Sequence, residues 1–200
     1  MADALFDDAE LGDIVPALER LQKLAPPSAF VSAATPEQWQ ELEHSLGLQL
    51  PVDFKQLVDS YGNGRFADFL SVCDPWYKRQ HPHSEKSYLA WVNVRLTGLK
   101  PEWRTYPEYL APFLPYPAPE GLLPCGFTDN GDTLCWQTTG VSDFWPLVIV
   151  DYKQSEQYER YHMTITEFLA QWLHGRIEPK MFPDDIFPAE EPLFRPSDND

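Results

Sequence analysis

The chain has 200 residues, of which 15 are lysine or arginine and 31 are aspartate or glutamate, so its formal net charge is −16. Hydrophobic residues make up 43% of it, which is enough to build one core and excludes a chain that is disordered as a whole. The negative charge argues against sequence-independent binding of nucleic-acid backbones, which requires clustered lysine and arginine. The sequence contains no apolar run of about 18 residues, so we expect no membrane-spanning helix.

The cysteines and the N-terminal residues indicate a reducing compartment. The three cysteines, Cys73, Cys125 and Cys135, are odd in number and lack the spacing of a disulfide framework. Residues 1–10 are acidic and lack the basic segment that opens a secretory signal. We therefore expect a cytoplasmic protein with free thiols, although Cys125 and Cys135 flank a predicted turn and a disulfide between them stays an alternative.

Acidic residues are concentrated at the two ends of the chain. Residues 1–24 carry six acids against two bases, and residues 178–200 carry seven acids against two bases. Two interpretations stay open. Like charges keep a chain soluble through self-repulsion, and an acidic surface also steers a basic partner toward the protein.

Two helices are predicted in the first quarter of the chain. Apolar spacing predicts one that begins near Pro16 and ends before Pro26. The other has a stronger signal, because Thr35 can cap it and Gln38 completes a capping box. Gly47 is suited to ending this second helix.

Two further helices are predicted before the strand-rich half. Pro51 begins one whose apolar residues recur at helical spacing as far as Tyr61, and a Gly-Asn-Gly turn closes it. The other is expected to begin at Ser84 and to run to about Leu99. Between these helices, residues 66–72 are predicted to form one short strand.

Strand signals dominate the second half. Residues 122–127 and 133–136 flank an Asp-Asn-Gly-Asp turn at 129–132, which predicts a β-hairpin. Residues 146–152 predict a buried strand, and one more strand is expected to end at Met163.

A closing helix follows the strands. Thr164 and Glu167 form a second capping box, and Gly175 is placed to end the helix. The order of elements predicts an α+β fold, with an antiparallel meander sheet packed against N-terminal helices and one C-terminal helix.

The sequence divides into three parts. Residues 1–30 are expected to form an acidic N-terminal helix or extension, residues 31–177 one α+β domain, and residues 178–200 a proline-rich acidic arm. Apolar side chains in the arm can dock it on the domain. Prolines and aromatic residues between 101 and 119 predict an ordered, packed loop.

Four segments carry a family resemblance in chain order. Residues 48–64 combine an apolar-Pro start, a helix with Phe54 and Lys55, and a closing Gly-Asn-Gly turn. The other three are a hairpin whose turn contains Gly-Asp, a strand that ends in an acid, and the closing helix, at residues 123–136, 148–151 and 166–173. Together they resemble the SUKH superfamily, which includes the yeast cell-wall-synthesis regulator family and many bacterial immunity proteins.

The resemblance implies a non-catalytic fold that grips partners and needs no cofactor. In bacteria, many such proteins are thought to neutralise toxins delivered by neighbouring cells, and those toxins are often nucleases with basic clefts. We therefore expect an immunity protein that blocks a cognate toxin by stoichiometric binding, because a charge of −16 suits a basic protein partner. A regulatory or scaffold protein that binds endogenous partners is the alternative. Nucleic acid and membrane are not expected partners.

Other chemistry has weaker support in the sequence. One group of residues could form a metal site: Cys73, Asp74, His81 and His83. No Cys-x-x-Cys pair supports this site, and a polar loop explains the same residues. We therefore predict no metal and no catalytic residues.

Acidic residues near the predicted hairpin offer a third hypothesis, an unrecognised hydrolase. Asp129, Asp132, Asp143 and Asp151 would have to gather at one end of the sheet for acid–base work or cation binding. Turn formation explains the Asp-Asn-Gly-Asp segment without such a site.

The tryptophans divide into core and loop positions. Trp39, Trp91, Trp136 and Trp172 fall on predicted core faces, whereas the other three fall in predicted loops and suit partner contact. The predicted partner-binding residues are Trp76, Trp103, Asp129, Asp132, Asp143 and Trp145.

Overall fold

The computed structural model of the chain describes residues 16–28, 33–76, 88–105, 113–151, 158–184, 186 and 192–197. These residues contain five α-helices and an antiparallel sheet of seven strands, so the predicted α+β class is confirmed. Among them, no helix is both long enough and apolar enough to cross a lipid bilayer.

The first three helices lie where caps and breakers predict them: α1 (Ala17–Leu24), α2 (Pro36–Leu46) and α3 (Val52–Tyr61). The capping box of α2 is complete, since the Gln38 N–H donates to Thr35 Oγ1 (3.3 Å) and the Thr35 N–H donates to Gln38 Oε1 (2.8 Å). Gly47 follows α2 with a φ of 68°, in the left-handed region that glycine enters without strain.

Seven strands form one sheet: β1 (Gly64–Phe66), β2 (Leu70–Val72), β3 (Leu122–Thr128), β4 (Thr133–Gln137), β5 (Leu147–Val150), β6 (Tyr158–Tyr161) and β7 (Phe194–Pro196). Their spatial order is β6-β5-β4-β3-β2-β1-β7, and every neighbouring pair is antiparallel. The predicted hairpin is β3–β4, and Gly131 in its turn has a φ of 98°.

The prediction of a single strand over residues 66–72 is wrong. The chain turns back between β1 and β2, where Ala67 and Asp68 have φ values of 49° and 51°. The Phe69 N–H then donates to the Phe66 carbonyl (3.0 Å). Positive φ is uncommon for alanine. Because neither glycine nor asparagine stands at these two positions, the sequence carries no signal for the turn.

One face of the sheet packs against α1, α2, α3 and the closing helix α5 (Ile165–Leu173). The Trp136 ring of β4 meets Phe54 of α3 edge-on, with 4.8 Å between ring centroids. At the outer side of these helices, Arg20 of α1 pairs with Glu167 of α5. The helices and the sheet therefore share one core.

Helix α5 uses half of its predicted capping box. Thr164 Oγ1 accepts the Glu167 N–H (3.3 Å), as predicted. The Glu167 carboxylate instead accepts hydrogen bonds from Arg20 and from Gln171 Nε2 (2.6 Å for the latter). This carboxylate therefore joins α5 to α1 in addition to facing the first turn of its own helix.

The second face of the sheet is also covered, which the sequence did not predict. Helix α4 (Tyr88–Thr105) packs on β3, where the Tyr88 hydroxyl donates to the Pro124 carbonyl (2.9 Å) and the Arg95 guanidinium lies 4.4 Å from the Phe127 ring centroid. The predicted helix start at Ser84 lies outside the described residues. A smaller buried cluster lies on this face: Phe113, Leu122, Cys135, Val148 and Val150.

Helix α4 runs past the predicted end at Leu99 and continues through Pro101. A proline inside a helix removes one backbone N–H donor, so the prediction placed the end before it. Residues 101–105, predicted as part of a packed loop, are therefore helical.

The described residues of the C-terminal arm pack along the domain. Phe182 is buried and contacts Trp172 of α5 and Phe69, with ring centroids 5.1 and 5.0 Å apart. Further along, Phe194 is buried in β7, which pairs with β1 at the edge of the sheet. The arm thus supplies both core side chains and a strand.

Candidate protein-binding surface

Two of the predicted partner-binding acids belong to the β3–β4 hairpin. Asp129 is exposed and its carboxylate accepts a hydrogen bond from Arg65 at 2.9 Å. Asp132 is only 3% exposed, and its carboxylate accepts from the Thr128 hydroxyl at 2.7 Å. Asp132 therefore stabilises the turn from inside, and only Asp129 faces the solvent.

The predicted acids do not gather in one place. Asp132 and Asp151 lie where β4 begins and β5 has ended, whereas Asp143 lies at the opposite end of these strands. No group of three or more histidine, cysteine, aspartate or glutamate side chains suited to a metal ion occurs in the described part of the chain. His81 and His83 of the sketched metal site lie outside that part.

Cys125 and Cys135 are buried, Cys73 is partly buried, and all three thiols are protonated at neutral pH. Cys125 lies in the main core and Cys135 in the smaller cluster on the other face of the sheet, so the two side chains point apart, and all three cysteines are free. Burial raises the pKa of Cys73, Cys125 and Cys135 far above that of an ordinary thiol. Because the thiolate is the nucleophile, these cysteines are poor nucleophiles.

Trp76 and Trp103 were predicted as loop residues suited to partner contact, and the structure places only Trp76 in a turn. Trp76 packs edge-on against Trp39, with 5.3 Å between ring centroids, and its backbone N–H donates to Asp74 Oδ1 (2.8 Å). The Trp76 ring is therefore partly buried against the core. Trp103 was predicted in a loop but lies in α4.

The remaining two predicted residues lie in the loop between β4 and β5, which we call the Phe144 loop (residues 138–146). Trp145 was predicted as a loop residue suited to partner contact. It does lie in a loop, but its side chain is only 6% exposed and lies 6.3 Å from Trp136 between ring centroids. Its indole N–H points to the Gly140 carbonyl at 3.4 Å. The ring therefore anchors the loop in the core.

Asp143 ties the same loop to α3. The residue before this helix is Pro51, which has no side chain able to accept a hydrogen bond. Asp143 Oδ1 takes that role from a distant part of the chain and accepts the Val52 N–H at 2.7 Å. A carboxylate at this end of a helix is also favoured by the helix dipole.

Replacing Asp143 with alanine is expected to lower the free energy of unfolding by about 1 kcal/mol, as for the loss of an N-cap. Asp143→Asn keeps an acceptor oxygen and should retain most of the stability. Urea denaturation of the two variants and the wild type measures the difference. Equal stability of the alanine variant and the wild type would show that the contact to Val52 contributes nothing.

An apolar patch lies on this anchored loop, and it went unnoticed in the sequence. Phe144 is 83% exposed, Val141 is 64% exposed, and Val52 at the start of α3 is 47% exposed. We call these three residues the Phe144 patch. Phe144 lies between Asp143, whose carboxylate is held by the Val52 N–H, and Trp145, whose ring is buried in the core.

Hydrogen bonds fix the backbone beneath the patch. The Phe144 N–H donates to the Val141 carbonyl (3.0 Å) within a 3₁₀ turn at Ser142–Phe144, and the Trp145 N–H donates to the Ser142 carbonyl (3.1 Å). The Gln137 N–H closes the loop on the Pro146 carbonyl (3.0 Å). An aromatic side chain held this way loses little backbone freedom when a partner covers it.

Behind the patch, Asp53 connects α3 to α5. Its carboxylate accepts hydrogen bonds from the Thr166 N–H and hydroxyl, both at 3.2 Å. Burial raises the pKa of Asp53, and the hydrogen bonds from Thr166 and Thr164 oppose that shift. The first turn of α3 is therefore held from both sides, by Asp143 and through Asp53.

The raised pKa of Asp53 predicts a pH dependence. The folded state holds the Asp53 proton more tightly than the unfolded state, so this group favours folding at low pH and loses that contribution as pH rises above about 3.8. Asp53→Asn should therefore gain stability relative to the wild type between about pH 4 and 7. Urea denaturation across that range tests this, and a constant difference between the two proteins would contradict it.

Comparison with known proteins identifies one family. A family model described as SMI1 / KNR4 family (SUKH-1) matches residues 33–171, from just before α2 into α5. This confirms the resemblance drawn from the sequence motifs. The matched residues include the whole Phe144 loop, Val52 and Asp53. Neither a curated protein nor a solved structure matches the chain.

Proposed function

The chain belongs to the SMI1 / KNR4 family (SUKH-1), and we propose that it is a non-catalytic protein-binding module that neutralises a cognate toxin by stoichiometric binding. The observation that carries this proposal is the Phe144 patch. A large aromatic side chain that is 83% exposed on a loop anchored by Trp145 and Asp143 suits a protein interface. Aromatic residues that enter a partner's pocket dominate the binding energy of many interfaces.

The partner's surface should be basic around an apolar pocket. The chain carries a net charge of −16, which speeds encounter with a positively charged protein and discourages contact with other acidic surfaces. A toxin with a basic catalytic cleft fits this description. The patch would supply the buried anchor, and the acidic surface would supply the steering.

Co-expression tests the proposal directly. Each toxin domain encoded beside the gene is produced in a host cell with and without this chain, and survival is scored. We expect one toxin to be neutralised and to co-purify with the chain in a one-to-one complex. Cell death with every neighbouring toxin, together with no detectable complex, would contradict the proposal.

Salt gives a second readout on the same complex. If steering by the acidic surface contributes, the association rate should fall as ionic strength rises, while the dissociation rate changes little. Surface plasmon resonance at low and high salt separates the two rates. A salt-independent association rate would remove the electrostatic part of the proposal.

A further inference from the structure

The edge of the sheet at β1 holds an extended segment from the far end of the chain. Residues Phe194–Pro196 pair with Phe66–Gly64 in antiparallel register. The hydrogen bonds continue past the strand at both ends, from the Ala67 N–H to the Leu193 carbonyl (2.8 Å) and from the Ser197 N–H to the Asn63 carbonyl (3.0 Å). Five consecutive residues of the arm, 193–197, thus lie along β1 as a peptide lies along the edge of a receptor sheet.

A socket at this edge receives one aromatic ring. Phe194 is 4% exposed, and its ring centroid lies 4.8 Å from that of Tyr61 and 4.9 Å from that of Phe66. The floor of the socket is Gly64, where an added Cβ would come within 2.4 Å of Phe194 Cζ. We call Tyr61, Gly64 and Phe66 the Phe194 socket. It has room for the ring only because residue 64 is a glycine.

The carboxylate of Asp68 forms an ion pair with the next residue of the arm, Arg195. Arg195 follows Phe194 and pairs with Asp68 at 3.1 Å, and both side chains are partly exposed. Asp68 lies in the β1–β2 turn, at the end of the same edge. The edge therefore offers backbone pairing along the whole segment, an aromatic socket for one residue and a carboxylate for the residue after it.

We propose that the β1 edge is a strand-addition site for an extended peptide in which an aromatic residue precedes an arginine, and that the chain's own arm is its resident occupant. A partner protein with such a segment binds here when the arm leaves. The site is separate from the Phe144 patch and does not depend on the proposed toxin neutralisation. Since the arm is tethered, its high effective concentration keeps free peptides out of the intact protein.

Weakening the resident arm in the full-length chain tests this proposal. The probe is a fluorescein-labelled peptide with the sequence of residues 191–198, and binding is followed by fluorescence anisotropy. Phe194→Ala should bind the probe at least tenfold more tightly than the wild type, because less of the site is occupied. Val94→Ala, an exposed apolar change on α4, should bind like the wild type. A probe with alanine at the phenylalanine position should not bind to any variant.

Two outcomes would overturn the proposal. One is a folded Phe194→Ala chain, with hydrogen exchange showing the arm released, that binds the probe no better than the wild type. The other is a wild-type dimer in sedimentation that the substitution dissolves, since the occupant in trans would then be the arm of a second copy.

If the substitution unfolds the protein, a nicked chain keeps the test decisive. A protease site placed between Ile186 and Pro192 is cut after folding, and the labelled probe is added. Exchange of the probe for the cut arm supports the proposal. A cut arm that dissociates and leaves an edge unable to take up the probe contradicts it.

Discussion

Phe144→Asp is expected to weaken the complex with the neutralised toxin by at least about 100-fold, close to 3 kcal/mol, which is the size of a strong interface hot spot. The reason is that the substitution replaces the exposed anchor of the Phe144 patch with a charge that a partner pocket cannot bury without cost. Protection in co-expression should be lost. The thermal midpoint should stay within a few degrees of the wild type, because the ring is 83% exposed and makes little contact with the core.

A matched control separates this effect from a general change in charge. Val94 on α4 is also exposed, at 52%, and Val94→Asp adds the same charge away from the patch. This control should protect cells and bind with nearly wild-type affinity. If Phe144→Asp protects as well as Val94→Asp does, the patch is not the binding surface and the toxin docks elsewhere.

Helices α1, α2, α3 and α5 were predictable because their signals are local. Thr35, Gln38 and Gly47 define both ends of α2 by chemistry that involves only neighbouring residues. The β3–β4 hairpin was predictable for the same reason, since Asn130-Gly131 forms the turn with little help from the rest of the chain. Order and type of these elements then gave the fold class.

Features that depend on distant contacts were missed. The cap of α3 comes from Asp143, which is 91 residues away from Val52 along the chain. The β1–β2 turn has alanine and aspartate at positive φ. On its other side, β1 pairs with β7, which comes from the arm more than 120 residues later in the chain. No spacing rule joins such segments, because their contacts form only once the sheet exists.

The candidate site shows the same division between local pattern and tertiary context. The sequence selected Asp143 and Trp145 as partner-binding residues, and the structure uses the first as a helix cap and the second as a core ring. The sequence did not distinguish Phe144, which lies between them, from the other aromatic residues of the chain. Burial of its neighbour and exposure of Phe144 follow from the direction of the 3₁₀ turn, which composition does not encode.

The anchoring of the Phe144 loop in the core leads to the largest expected effect on stability, at Trp136. This residue is 1% exposed, meets Phe54 of α3 edge-on at 4.8 Å, and lies 6.3 Å from the Trp145 ring that holds the loop. Trp136→Ala should lower the free energy of unfolding by about 3–5 kcal/mol, because it leaves a cavity where sheet, helix and loop meet.

Urea denaturation of Trp136→Ala, Trp136→Phe and the wild type measures this cost. The phenylalanine variant keeps an aromatic ring against Phe54 and should lose less than half as much stability. Hydrogen exchange in Trp136→Ala should also rise first in residues 138–146, because Trp145 loses a ring neighbour. A loss below about 1 kcal/mol, or a loop that exchanges as slowly as in the wild type, would show that the Phe144 patch is held by Asp143 and the loop's own hydrogen bonds without support from the core.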